Sequence, residues 1–139
     1  MDRSTLFFAI MALGGWGLGS FIAKLATNRI GALSVAFDLV GYAIAAGVYS
    51  LFIFKPSSIF TTDKIGAMLA FVAGVVGSFG GIAFYYLMAK KDASVVVPLT
   101  SLYPALTVLL AVIFLRENLT LVKMIGMLFS LAAIVLLSM

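Results

Sequence analysis

Neither cysteine nor histidine occurs anywhere in the chain. The first absence excludes disulfides, thiolate nucleophiles and soft metal sites, and leaves the redox compartment unwritten in the sequence. The second removes the side chain that most readily exchanges a proton near neutral pH and the commonest metal ligand. Charge is also scarce: Asp, Glu, Lys and Arg make up 10% of the residues, against about 25% in ordinary soluble domains. Hydrolysis or group transfer within a membrane would want paired acids, or a Ser–Lys or Ser–His couple at one depth. Asp38 is the one acid well inside an apolar run, so an enzyme is not expected. There is no Gly-Lys-Ser/Thr phosphate loop, which excludes ATP-driven work by this chain alone. No cofactor and no metal are expected.

What is present is apolar. Hydrophobic residues account for 64% of the 139 positions, more than the interior of a soluble domain of that length could hide. The charges cluster between long apolar runs, and a span needs about 20 residues to cross about 30 Å of hydrocarbon. Five runs qualify, at 5–23, 31–54, 65–89, 93–115 and 119–138. Their separators hold Lys24 and Arg29, then Lys55, Pro56, Asp63 and Lys64, then Lys90 to Asp92, then Arg116 to Asn118. The expectation is an all-α integral membrane protein of five transmembrane helices with short loops, consecutive helices lying antiparallel. The formal charge of +4 falls at segment ends, where it meets headgroups, so nucleic-acid binding is not implied. The Gly-rich stretch around Trp16 suits a packed helix better than a cleaved leader. Arg116 suits the negative end of one helix and Glu117 the positive end of the next, while Lys123 reads as an interfacial anchor.

Five spans put the termini on opposite sides. Arg3, Lys55, Lys64, Arg116 and Lys123 then share one face, with Lys24, Arg29, Lys90 and Lys91 on the other. Orientation follows the excess of basic residues in cytoplasmic loops, and this near tie is compatible with insertion both ways round.

Several residues could carry function. In the third run Gly66, Ala70, Gly74 and Ser78 form one small-residue row and Ala73, Gly77 and Gly81 another; Gly15 and Gly19 repeat the device in the first. Such rows let helices approach closely, either within one subunit or across a dimer. Pro98 and Pro104 interrupt the fourth run and free the carbonyls of Ser94 and Thr100. Pro104 falls near mid-depth among Thr100, Ser101, Tyr103 and Thr107, which is a plausible ligand surface or else a kink satisfied by its own hydroxyls. Asp38 is a candidate proton-coupling group, or else a carboxylate that sits in a water-filled vestibule or pairs with Lys24 or Arg29 to fix its helix. Trp16, Tyr42, Ser78 and Tyr103 fall near the middles of their runs, where polar-tipped rings could line a pocket for an organic solute or simply pack.

The order Ala93, Pro98, Pro104, Leu115, Glu117, Leu119, Thr120 and Gly126 within 89–137 resembles the second half of an EamA-type repeat of the drug/metabolite transporter superfamily. Trp16-Gly17 followed by Lys24 resembles its start. The likeness covers essentially the whole chain and is most specific from Pro104 to Gly126. Members of that family usually carry two such repeats, inverted, in a ten-helix carrier, so residues 1–139 are similar to one five-helix repeat, half of that architecture. Many members have a basic residue near the place of Asp38, which departs from the pattern. The resemblance implies a secondary transporter or exporter of a small metabolite in a prokaryotic cytoplasmic (inner) membrane. Joined to the charge balance, it implies an antiparallel homodimer like that of the small multidrug resistance proteins. The alternative is an accessory half that works only beside a different half-transporter.

Overall fold

The computed structural model describes residues 2–54 and 63–138; the separator expected at Lys55 and Pro56 lies outside them. Among the described residues the secondary structure is helical, without a strand. Helix α1 is Arg3–Ile30, a short 3₁₀ turn is Gly31–Leu33, α2 is Ser34–Ile53, α3 is Lys64–Lys90, α4 is Ala93–Thr100, α5 is Tyr103–Leu115 and α6 is Leu121–Ser138. The chain divides into two compact units, Met1–Ala89 and Lys90–Met139.

In the first unit, α1 begins after Asp2, whose carboxylate accepts a hydrogen bond from the Ser4 hydroxyl. That bond holds Asp2 below the ordinary carboxylate range. The helix does not stop where the apolar run stops. Residues Lys24, Thr27 and Arg29, expected in a connecting loop, form its last two turns. Charge ends a hydrocarbon run, but Lys, Ala and Arg are good helix formers, so the helix continues until a residue can leave it. Gly31 does so, with φ 62° and ψ −153°, and its N–H closes on the Thr27 carbonyl. Positive φ is where a Cβ is penalised and glycine is not. The Ser34 hydroxyl donates to the Gly31 carbonyl at 2.7 Å and fixes the turn into α2.

In the second unit, the run expected as one kinked helix is two. It breaks at Ser101 and Leu102, ahead of Pro104, which occupies the first turn of α5. A proline there loses no hydrogen bond, because first-turn N–H groups have no intrahelical partner. The break tightens to i−3 bonds, Leu102 N–H to the Leu99 carbonyl at 3.5 Å and Ala105 N–H to the Leu102 carbonyl at 3.1 Å. Helix α4 packs along α6. Arg116 ends α5 in the left-handed region, with φ 54° and ψ 36°, and Thr120 caps α6 by accepting the Lys123 N–H at 3.4 Å.

Apolar side chains cover every face of these helices: Phe52 is 85% exposed, and only Ala23, Thr27, Ser34, Tyr85, Met88 and Val96 are buried among the described residues. Exposed apolar area costs about 25 cal/mol per Å² in water, and a helix apolar all round belongs in lipid or in a larger core. The runs Arg3–Ile53, Lys64–Lys90 and Ala93–Leu115 are long and apolar enough to cross a membrane, and Leu121–Leu137 is a shorter apolar helix.

Candidate functional site

Two polar clusters stand out, one in each unit. In the first, the C-terminal turns of α3 meet α1 and α2. The last carbonyls of a helix have no intrahelical donor and carry its negative dipole end. Lys24 Nζ donates to one of these, the Met88 carbonyl, at 2.8 Å. The Thr27 hydroxyl reaches the same carbonyl at 3.4 Å and its own Lys24 carbonyl at 3.0 Å. Three residues earlier on α3, Tyr85 is 7% exposed, with the Asp38 carboxylate of α2 near its hydroxyl. Phe84 and Tyr85 meet edge to face with centroids 6.0 Å apart.

Asp38, read from the sequence as a coupling group, a carboxylate in a water-filled vestibule, or one paired with Lys24 or Arg29, has the Tyr85 phenol of α3 nearby. It is also shallower in its helix than the sequence suggests, four residues after the Ser34 start of α2. Its carboxylate is exposed on the protein surface.

The second cluster surrounds the α4–α5 break. The Thr100 hydroxyl donates to the Val96 carbonyl at 2.8 Å or the Val97 carbonyl at 3.1 Å, and Ser101 to the Val97 carbonyl at 2.7 Å. Thr107 reaches the Tyr103 carbonyl at 3.1 Å. These hydroxyl protons are spent on the helix, so what the break offers a solute is oxygen lone pairs. Tyr103 and Pro104 are exposed beside it. A groove of about 210 Å³ lies here, lined by Ser101, Pro104, Val108, Met127 and Ser130 among others. It shares Val108, Met127 and Ser130 with a larger groove of about 510 Å³ that reaches Glu117, Asn118, Lys123 and Gly126. Both are open grooves along α5 and α6, and the larger one has Glu117 and Lys123 at its rim.

The structure thus gathers Thr100, Tyr103 and Pro104 and brings Asp38 near Tyr85. It does not join Trp16, Tyr42 and Ser78: Trp16 is 70% and Tyr42 75% exposed, and no hydrogen bond or ring contact links the three among the described residues. Ser78 donates to its own Val75 carbonyl at 2.7 Å. A Cβ at Gly15, Gly19, Gly74, Gly77 or Gly81 would meet no described atom of their own unit within 4 Å.

Sequence reasoning missed Tyr85, the Met88 carbonyl and the groove. Lys123, Gly126, Met127 and Ser130 fall on one helical face by their spacing, a signal that was legible. A backbone acceptor contributed by a distant helix leaves no such trace.

The model of the EamA-like transporter family matches residues 3–139. The chain is 32% identical over 139 residues to Uncharacterized protein MJ1333.1 of Methanocaldococcus jannaschii, covering 99% of this chain and 98% of that protein. It is 28% identical over 131 residues to Uncharacterized transporter YvbV of Bacillus subtilis, covering 91% of this chain and 43% of that protein. No solved structure matches.

Proposed function

The chain belongs to the EamA-like transporter family, and from that premise we propose that it is one five-helix half of a secondary transporter. It pairs with an inverted second copy and moves a small organic solute by alternating access, without ATP and without chemistry on the solute. The observation that carries this reading is the break at Ser101 and Leu102, inside a run long enough to span and opening onto the α5–α6 groove. Broken helices lining a cavity are how carriers place polar backbone inside lipid.

Helix lengths support five crossings. The 51-residue run Arg3–Ile53 would measure about 77 Å as one helix, more than twice the hydrocarbon thickness. The Gly31–Leu33 turn divides it into α1 and α2; α3, the α4–α5 pair and α6 complete the five. Matching 43% of a longer transporter is what one of two repeats would do, and the near balance of basic residues between faces suits a single gene product inserted both ways. The solute-facing residues in this reading are Thr100, Tyr103 and Pro104, with Trp16, Tyr42 and Ser78 completing the wall in the assembled dimer. Asp38 is the coupling carboxylate.

The test is uptake into proteoliposomes under an imposed pH gradient, with a panel of small organic solutes that includes the lipophilic cation tetraphenylphosphonium. Wild type should concentrate at least one solute, and Asp38→Asn should reduce gradient-driven uptake to background. Uptake by Asp38→Asn equal to wild type at every pH would remove the coupling role. Absence of uptake unless a second, different half-transporter is co-reconstituted would establish the accessory-half reading instead.

A further inference from the structure

We propose that the α5–α6 groove is a lateral site for a membrane phospholipid whose headgroup carries both a phosphate and a primary ammonium, the phosphate on Lys123, the ammonium on Glu117 and one acyl chain along the walls. The proposal rests on the reading above in taking α5 and α6 as membrane crossings, and it names the ligand class of the groove. Glu117 and Lys123 both line the larger groove, one before and one after the turn that leads into α6. Both are exposed, and among the described residues neither side chain makes an ion pair or a hydrogen bond. Two opposite charges held at one rim, and not spent on each other, complement a ligand that carries both. The backbone holds the acid there. Arg116 takes φ 54°, the one positive φ at a non-glycine residue among the described residues, a conformation unfavourable to any residue with a Cβ. That reversal carries the Glu117 N–H back onto the Ala111 carbonyl of α5 at 3.3 Å.

Below the rim the groove suits an alkyl chain. Val108 and Val112 stand one turn apart on α5, and Gly126, Met127 and Ser130 line the same groove from α6. The Ser130 hydroxyl donates to the Gly126 carbonyl at 2.9 Å and the Ser101 hydroxyl to the Val97 carbonyl at 2.7 Å, so neither proton is left for a polar solute. An alkyl chain needs none, and methionine adapts to its shape. The lining of the two grooves on α6 runs from Lys123 to Ile134, a rise of about 16 Å at about 1.5 Å per residue. That is half of a hydrocarbon thickness of about 30 Å, the depth one acyl chain reaches when its headgroup lies at the rim. Among headgroups, a purely anionic one would set negative charge against Glu117, and a quaternary ammonium has no N–H to give it. A primary ammonium suits the carboxylate and a phosphate suits the lysine.

The experiment measures lipid retention by the purified protein, delipidated in detergent and titrated in turn with dioleoyl-phosphatidylethanolamine, dioleoyl-phosphatidylcholine and dioleoyl-phosphatidylglycerol, with bound lipid counted by native mass spectrometry. The ethanolamine lipid should bind about tenfold more tightly than either of the others, the effect of roughly one charge-assisted hydrogen bond. Lys123→Gln should erase that preference. Glu117→Gln should shift it to the glycerol lipid, a gain that a misfolded protein does not show, and Gly126→Leu should weaken binding of all three. Equal binding of the three lipids by wild type, an ethanolamine preference that survives either charge substitution, or a Gly126→Leu protein that binds as wild type does overturns the proposal. So does displacement of the bound lipid by equimolar glycerophosphoethanolamine, which would assign the rim to a soluble zwitterion. Because retention needs no gradient and no turnover, selective binding by a chain that transports nothing would contradict the transport reading and leave the lipid site standing; uptake of a water-soluble solute without lipid selectivity would do the reverse.

Discussion

At the scale of single residues, the most informative side chain is Lys24. Its charge at the end of an apolar run suggests a headgroup anchor, whereas the structure turns its ammonium onto the carbonyl of Met88, 64 positions away in the sequence. Lys24→Met should preserve the aliphatic stem and remove the ammonium from the Met88 carbonyl. The expected loss is about 1 kcal/mol of stability, the range of a charge-assisted hydrogen bond discounted for partial exposure; an equilibrium unfolding titration in detergent measures it, and an unchanged midpoint would show the contact to be idle. Asp38 is legible in the sequence as an acid out of place, but its neighbour is not. A tyrosine near the end of an apolar run is usually an interfacial belt residue, and nothing in the spacing of Tyr85 from its neighbours separates that role from an approach to another helix.

At the scale of elements, apolar run length located the helical regions and proline located the interruption of the fourth run, because both act through local chemistry. The details that went astray depend on geometry. Helix α1 runs to Ile30 because helix termination needs a residue such as Gly31, and charge is not a terminator. The break between α4 and α5 precedes Pro104 because proline belongs in a first turn. Gly126 is among the residues that line the larger α5–α6 groove. A Cβ at Gly126 would meet no described atom within 4 Å, so Gly126→Leu should fold and fill the groove with apolar volume. Uptake should fall by about tenfold or more while the amount of protein in the membrane is unchanged; unaltered uptake would mean that the solute does not use the groove.

For the whole molecule, the question is what covers so much bare helix. Lipid accounts for the large apolar side chains. The small-residue rows are a different matter, because glycine gives lipid little to pack against and permits a close helix neighbour. If the Gly74, Gly77 and Gly81 face meets a second copy, Gly77→Leu should accumulate normally yet lose most of its dimer when solubilised protein is chemically cross-linked and resolved by size. An undiminished dimer would move the contact elsewhere. The proposed five crossings and dual orientation are tested together by placing single cysteines at either end, Asp2→Cys and Ser138→Cys, and labelling them with a membrane-impermeant thiol reagent in intact cells and in inverted vesicles. The antiparallel homodimer predicts that each terminus is labelled from both sides in similar amounts; labelling of each terminus from one side only would contradict it.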